Sequence, residues 1–357
     1  MNLSGSVRVR VPATSANLGP GFDAFGLALG LYDELTVTPG DSGVTVQVDG
    51  SGAGEVALDE SHLVVRAIRA GLESLGAVVP GFALRCVNRI PHGRGLGSSS
   101  AAIVGGIAAA YGMTGTPLDR GRIVDLANEI EGHPDNVAAA ALGGFTIAWT
   151  EGDKGRAVRL EPVSGLAAVA YVPGTRVLTK AARGLLPGVV PHGDAAANAG
   201  RAALLVAALT SRPELLMTAT EDRLHQEYRE PAMPESLALV HKLRGSGLPT
   251  VISGAGPTVL VLTITPETTH TSEAEQAAGA AGAERAAGAA GAEPAFEVGQ
   301  GQWGWGEGEG VPLAHSDGAG VWPAAPDGWE RLELGIDPVG VQVWSEKGGV
   351  VTTGVGE

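Results

Sequence analysis

The chain has 357 residues, of which 44% are hydrophobic and 18% are charged, and this length and composition fit a globular protein of two domains. Its 39 acidic residues against 24 Lys and Arg give a net charge of −15, which argues against nucleic acid and against an anionic membrane surface as partners. The single cysteine, Cys86, excludes an internal disulfide, and because no apolar run approaches the roughly 20 residues of a membrane span, we expect a cytoplasmic protein.

The first part of the chain alternates between strand and helix patterns, which predicts an α+β domain over residues 1–157. Apolar residues at every second position predict strands at 7–11, 44–48 and 83–90. Apolar stripes and small-residue runs predict helices over 59–75, 101–110 and 117–131. The last of these helices ends at Gly132-His133-Pro134, because proline cannot continue a helix.

The second part of the chain predicts another α+β domain, over residues 158–350. A buried strand is expected at 166–172, a long helix at 195–209, and a strand, glycine turn and second strand over 251–262. Two further strands are expected near 328–334 and 340–344.

Residues 268–326 interrupt this second domain. They consist of Ala, Gly and Glu repeats followed by a segment rich in Trp, Gly and Glu, and no apolar face recurs along them. Each glycine costs a helix about 1 kcal/mol, so alanine alone does not make the segment helical. We therefore predict a disordered low-complexity insertion, with Trp303, Trp305 and Trp322 either facing solvent or loosely collapsed.

The run from Pro91 to Ala101 has the features of a phosphate-binding loop. It consists of Pro91, His92, Gly93, Arg94, Gly95, Leu96, Gly97, Ser98, Ser99, Ser100 and Ala101. Glycines allow close approach of the backbone to an anion, Ser98 is placed to cap a helix, and the N–H groups of a first helical turn attract negative charge. The run matches neither the P-loop nor the dinucleotide fingerprint, and an ordinary Gly/Ser turn is the alternative.

Two other groups of polar residues are candidates for chemistry. Asn17 and Asp23 occupy a glycine-rich turn, where they could hold an ammonium or hydroxyl group or could simply cap the turn. The end of the 117–131 helix carries Glu129, Glu131, His133, Asp135 and Asn136. Mg²⁺ prefers one or two carboxylates with hydroxyl and phosphate oxygens, which Glu131 with Ser99 could supply; Glu129 and Ser98 are the alternatives.

Three segments, 12–23, 91–101 and 253–258, resemble in order and spacing those of the GHMP small-molecule kinases. Within that superfamily, the residues at 12–23 and 131–137 are similar to those of the homoserine kinases. The resemblance covers nearly all of residues 5–265 and resumes near Gly328. It implies a two-domain fold, with an N-terminal domain like domain 2 of ribosomal protein S5 and a ferredoxin-like C-terminal domain. It also implies ATP, Mg²⁺ and L-homoserine as ligands, ATP lying over the 91–101 run, and a possible homodimer.

The same resemblance implies roles for individual residues. Glu131, Ser99 and Asn136 would form the catalytic set, with Asn136 beside the reacting hydroxyl and Asp135 structural. Homoserine would be held by Asn17, Asp23, His133, Asn136, Thr179, Arg183, Arg229 and Gly254. Asp23 would meet its ammonium group, and the planar forks of Arg183 and Arg229 would meet its carboxylate, Thr179 assisting Arg183.

Two other functions stay open at this point. The chain could be another GHMP kinase that acts on mevalonate or a sugar-like alcohol, although two arginines and an aspartate favour an amino acid. It could also be a non-catalytic relative that binds a metabolite, whose mark would be loss of the magnesium carboxylate or of the loop serines. Both are present in this sequence.

Overall fold

The computed structural model describes residues 5–265, 322–345 and the backbone of 349–350. These residues form twelve strands and eight α-helices. The first part contains β1 (Val7–Ala16), β2 (Phe25–Gly40), β3 (Gly43–Gly50), α1 (Leu63–Ser74), β4 (Gly81–Asn88), α2 (Ser98–Thr114), α3 (Arg120–Glu131), α4 (Asp135–Leu142), β5 (Phe145–Glu151) and β6 (Lys154–Leu160). The remainder contains β7 (Leu166–Pro173), α5 (Thr179–Gly184), α6 (His192–Thr210), α7 (Leu216–Ala219), α8 (Pro234–Gly245), β8 (Thr250–Ile252), β9 (Val259–Ile264), β10 (Trp329–Gly335), β11 (Gln342–Ser345) and β12 (Gly349–Val350).

The first sheet has the order β12-β11-β1-β2-β4-β3, with β5 pairing with β2 and β6 with β5. Only the β3–β4 pair is parallel. The apolar side chains of β1 alternate into the core, where Val9 and Val11 are fully buried. Helix α2 is apolar on every side because it lies between the sheet and the neighbouring helices, with Ile103 and Ile107 in the same core. Its buried position fixes its N-terminus beside the end of β1.

The second sheet has the order β10-β7-β9-β8, and all its neighbours are antiparallel. Numbered within this domain, the order is 4-1-3-2, as expected for a ferredoxin-like domain. Successive residues of β9 face opposite sides: Leu260 and Leu262 join the core that is continuous with the first domain, and Val259 and Val261 pack with α8. The predicted α+β two-domain architecture is therefore confirmed.

The domain limits differ from those expected from the sequence. Strand β6 continues across the expected boundary at 157/158 and pairs with β5 in the first sheet. Strand β11 also belongs to the first sheet, where Val343 lies opposite Val9 and is buried. Because the edge of β1 needs a partner and Val343 fills the core, residues 158–350 do not form one continuous second domain.

Most of the expected insertion, residues 268–321, lies outside the described residues, but its last five residues are described and are ordered against the second domain. Trp322 packs on the apolar cluster that contains Tyr171, and the Tyr171 hydroxyl donates to the carbonyl of Pro323 at 2.9 Å. The solvent-facing alternative for Trp322 is thus wrong, because this indole covers apolar surface that the sheet would otherwise expose.

The connection that contains this segment joins β9 to β10. Strands β9 and β10 flank β7 and both run antiparallel to it, so they are parallel to each other. The connection must therefore return along β7, from the level of Leu166 to that of Pro173, a distance of about 24 Å at the usual strand rise.

Among the described residues, the helices are too short or too polar to cross a membrane.

Candidate active site

A cleft of about 600 Å³, here called the main cleft, lies between the two domains. It contains most of the residues expected to act on substrate. Its lining comprises Asn17, Gly93, Gly95, Gly97, Ser98, Ser99, Ser100, Glu131, His133, Asp135, Asn136, Val177, Thr179, Arg183, Arg229, Gly254, Ala255 and Gly256. Residues from six separate stretches of the sequence thus meet in one place.

The glycine loop before α2 closes tightly on its neighbours. Gly97 precedes the helix with φ +71°, and a Cβ atom there would lie 1.9 Å from Oγ1 of Thr14. Gly95 has φ +78°, and a Cβ atom there would lie 2.3 Å from the carbonyl oxygen of Ser253. Gly97, not Ser98, therefore occupies the N-cap position, and no side chain caps the helix. Ser98 begins the first turn, whose N–H groups face the cleft region as an anion site requires.

Glu131 is joined to the serines of this first turn. The Ser99 hydroxyl donates to Oε1 of Glu131 at 2.6 Å, and the Ser100 hydroxyl donates to the same oxygen at 3.1 Å. Helix α3 ends at Glu131 because Gly132 follows in the left-handed conformation. Glu129 is exposed and lines neither this cleft nor the second one described below. The geometry thus places Glu131, with Ser99, at the N-terminal end of α2.

Arg94 holds the two domains together and does not line the cleft. Its guanidinium donates to the carbonyl oxygens of Pro173 at 2.9 Å, Gly174 at 2.6 Å and His92 at 2.7 Å. The Arg94 side chain thus has domain-bridging partners in this structure, and its predicted part in ATP binding stays a prediction. Pro91 and the buried Leu96 also line neither cleft, whereas the loop glycines and serines do.

Asp135 organises the far side of the main cleft. Its Oδ1 accepts from the Asn136 backbone N–H at 2.7 Å and lies 3.0 Å from Nδ1 of His133. This hydrogen bond raises the pKa of His133 above its ordinary value, against the opposing effect of burial. The Thr14 hydroxyl donates to Oδ1 of Asn136 at 2.7 Å. The Asn136 amide and the His133 ring are thus held in fixed orientations toward the cleft.

Asp23 and Arg183 form a two-pronged ion pair. The guanidinium of Arg183 donates to the two carboxylate oxygens of Asp23 at 2.8 Å and 2.6 Å, and this contact raises the pKa of Arg183. Arg183 lines the main cleft, whereas Asp23 is not one of its lining residues. Thr179 also lines the cleft at the start of α5, but no hydrogen bond joins it to Arg183 among the described contacts.

Asn17, Leu18 and Asp23 all have positive φ, a conformation that costs non-glycine residues about 1 kcal/mol or more. Asn17 compensates by bridging the loop: its amide donates to the carbonyl oxygen of Gly254 at 2.8 Å and accepts from the backbone N–H of Asp23 at 2.9 Å. The 17–23 loop is therefore fixed by the turn that follows β8.

Arg229 is almost completely buried, yet it lines the same cleft. Burial, together with the nearby Arg183 guanidinium, lowers its pKa to about 10. Its Nη1 donates to the carbonyl oxygen of Gly254 at 3.1 Å and to Nδ1 of His225 at 3.0 Å. Two arginines therefore meet at this wall, where they would attract an anion.

A second cleft, of about 880 Å³, lies on the other side of the α2 N-terminus. Its lining is largely apolar and includes Leu35, Val56, Leu63, Val64, Ala101 and Ala102, with His92 at its edge. Ser98 and Ser99 line both clefts. An elongated ligand could therefore lie across the first turn of α2 with one end in each cleft.

Three residues that are not among the predicted site residues, Ser15, Ser253 and His225, hold the loops of the site together. Ser253 donates to the carbonyl of Gly95 at 2.6 Å and shares a hydrogen bond with Ser15 at 2.8 Å, which ties the loop after β8 to the glycine loop. His225 contacts both Arg229 and the carbonyl oxygen of Gly19. The only signal for His225 in the sequence is its place four residues before Arg229.

Comparison with known proteins agrees with this geometry. The GHMP kinase N-terminal domain family matches residues 62–144, and the GHMP kinase C-terminal family matches 201–287. A homoserine kinase of Streptomyces coelicolor is 63% identical over 262 residues, which cover 72% of this chain and 85% of that protein. A homoserine kinase of Clavibacter michiganensis is 56% identical over 259 residues, covering 72% of this chain and 82% of that protein.

Solved structures give the same result. The crystal structure of homoserine kinase from Cytophaga hutchinsonii superposes with a TM-score of 0.71 and 25% identity, covering 95% of this chain and 97% of that one. Mevalonate diphosphate decarboxylase from Staphylococcus aureus shares the fold, with a TM-score of 0.56, 16% identity, and coverage of 95% of this chain and 98% of that one. The extent of identity to curated relatives decides the family: this chain belongs to the homoserine kinases of the GHMP kinase superfamily.

Proposed function

We propose that the chain transfers the γ-phosphoryl group of ATP to the hydroxyl of L-homoserine, giving O-phospho-L-homoserine and ADP. One observation carries the proposal beyond family membership. The main cleft has an anion-binding helix N-terminus with Glu131 on one wall and two arginines, Arg183 and Arg229, on the other. A phosphate donor and a small carboxylate-bearing acceptor can therefore meet in it.

The two clefts suggest how ATP would bind. The apolar second cleft suits the adenine ring, and the triphosphate would then cross Ser98 and Ser99 into the main cleft. The first-turn N–H groups of α2 and the positive end of its dipole would stabilise the phosphate charge. The glycine loop approaches closely because Gly93, Gly95 and Gly97 present backbone without side chains.

Glu131 and Ser99 fit a Mg²⁺ site. A carboxylate oxygen and a hydroxyl oxygen 2.6 Å apart are hard ligands that can share one cation with phosphate oxygens. When bound, Mg²⁺ would neutralise charge on the β- and γ-phosphates. Glu131 is favoured over Glu129 because only Glu131 lines the cleft, and Ser99 over Ser98 because Ser99 contacts that carboxylate.

On the acceptor side, the residues supply charges opposite to those of an amino acid. Arg183 and Arg229 suit the carboxylate of homoserine, and Asp23 suits its ammonium group. In this structure Asp23 and Arg183 form an ion pair with each other. Binding would exchange this ion pair for contacts of both groups with the substrate, so the charges are already in position.

The transfer itself relies on positioning. Asn136 and His133 line the cleft between Glu131 and the arginines, where an acceptor hydroxyl would lie. The Asp135 carboxylate is occupied by Asn136 and His133 and is 2% exposed, which suits a structural role rather than that of a base. In-line transfer requires mainly alignment and charge neutralisation, and both are available from these residues.

The decisive experiment measures ADP release with L-homoserine, mevalonate, galactose and L-serine at equal concentrations. We expect turnover with homoserine at least tenfold above the other three. Faster turnover of mevalonate or galactose would identify another GHMP kinase, and ligand binding without turnover would identify a metabolite-binding relative. A cytoplasmic location and a homodimer are further proposals, which cell fractionation and light scattering test.

A further inference from the structure

His225 is fully buried between the 17–23 loop and Arg229. Its Nε2 lies 2.7 Å from the carbonyl oxygen of Gly19, and its Nδ1 lies 3.0 Å from Nη1 of Arg229. A carbonyl oxygen only accepts and a guanidinium only donates, so the ring must donate at Nε2 and accept at Nδ1. These partners select the neutral imidazole protonated on Nε2.

The environment of Arg229 leaves its charge available. Among the contacts of the described residues, its guanidinium has two neutral acceptors, His225 and the Gly254 carbonyl, and its Nε has no hydrogen-bond partner. The side chain is 1% exposed but lines the main cleft. The carboxylates of Asp23, Asp222 and Asp135 act on Arg229 through space and raise its pKa, but none of them hydrogen-bonds to it among the described contacts. An anionic ligand in the cleft can therefore still complete the hydrogen bonding of this buried cation.

His225 also connects Arg229 to the loop that carries Asp23. It anchors Gly19, and its ring stacks on Phe22 with centroids 5.1 Å apart. The guanidinium carbons of Arg183 and Arg229 lie 5.6 Å and 5.5 Å from the centre of the same Phe22 ring. The imidazole therefore contacts Arg229 and the 17–23 loop directly, and it contacts Arg183 only indirectly, through the Phe22 ring.

We propose that His225 is a positioning residue for substrate recognition: its neutral imidazole orients Arg229 toward the substrate carboxylate and couples that arginine to the 17–23 loop. The inference rests on the proposed function, since it assumes that the bound anion is the carboxylate of homoserine. It adds a residue that touches neither substrate nor phosphate.

Two isosteric variants separate orientation of Arg229 from anchoring of the loop. His225→Asn keeps an acceptor near the Nδ1 position but loses the donor to Gly19. His225→Gln keeps a donor near the Nε2 position but loses the acceptor for Arg229. His241→Gln is a matched control on the neighbouring helix, because that histidine is exposed and pairs only with Glu227 among the described contacts.

We expect His225→Gln to raise the KM for homoserine by about tenfold, the usual effect of losing a hydrogen bond to a charged group, with the KM for ATP within about twofold of wild type. His225→Asn should raise the homoserine KM by less than about threefold. Equal increases for the two variants, or parallel increases in both KM values, would overturn the inference and leave His225 as a loop anchor.

A measurement on the unmutated protein covers the case in which a variant does not fold. Nitrogen NMR of the labelled full chain at neutral pH should show His225 as the neutral form protonated on Nε2. A charged ring, or a proton on Nδ1, would overturn the inference. Absence of homoserine turnover by the wild type would refute the proposed function and the inference together, whereas the variant pattern refutes the inference alone.

Discussion

Replacing Arg183 by alanine tests the acceptor side of the cleft most directly. Arg183 makes two charge-assisted hydrogen bonds with Asp23, at 2.6 Å and 2.8 Å, and its side chain is 34% exposed. A forked contact of the same kind with a substrate carboxylate is worth about 2–3 kcal/mol after allowance for this exposure. We therefore expect the KM for homoserine to rise by about 30- to 150-fold.

The same substitution should spare the nucleotide side and the fold. Arg183 lines the main cleft but not the second cleft, so the KM for ATP should stay within about twofold. An ion pair that is one-third exposed contributes about 0–1 kcal/mol to stability, so Tm should fall by only a few degrees. Initial rates from ADP release, with each substrate varied in turn, give both constants.

Arg201→Ala is the matched control. Arg201 pairs with Glu221 at 2.9 Å with 36% of its side chain exposed, and it lines neither cleft. Its substitution should leave both KM values unchanged. Equal rises in the two KM values for Arg183→Ala, or a similar rise in homoserine KM for Arg201→Ala, would refute the role assigned to Arg183.

Three further predictions follow from the site and the fold. Glu131→Gln should lower kcat by about 100-fold and raise the Mg²⁺ requirement, whereas Glu129→Gln should resemble wild type; rates measured over a magnesium titration compare the two. Burial raises the pKa of Asp33 from 3.8 to about 6, so its ionisation lowers the stability of the fold as pH rises from about 4 to about 6. Asp33→Asn should therefore have a higher Tm than wild type above about pH 6 and the same Tm below about pH 4, as measured by thermal melts at several pH values. Deleting 268–326 should abolish folding, because the five residues left between β9 and β10 reach about 20 Å and the return along β7 needs about 24 Å; a cooperative melt of the shortened chain would contradict this.

Sequence patterns predict the fold well where one element decides its own structure. The alternation at 7–11 and the glycine turn at 254–256 both correspond to strands and turns in the structure, because periodicity and turn chemistry act within a few residues. The return of β11 to the edge of β1 could not be predicted in this way. That pairing depends on a free strand edge more than 300 residues earlier in the chain, as in the contact of Val343 with Val9.

The two sides of the cleft also differ in how far apart in the sequence their residues lie. The phosphate side is encoded locally, by glycines and serines within one loop and the first turn of α2, so its residues are recognisable in the sequence. Even there, the partners of the Arg94 side chain could not be predicted, because Pro173 and Gly174 come from the other domain. The acceptor side is assembled from long-range contacts.

Arg183 reaches Asp23 across 160 residues, and His225 reaches Gly19 across 206. If the proposed site is correct, substrate choice depends on how the second domain is placed against the loop before β2, whereas phosphate binding depends mainly on α2. Substitutions on the acceptor side of the domain contact, such as those at His225, should consequently alter discrimination among acceptors before they alter the affinity for ATP.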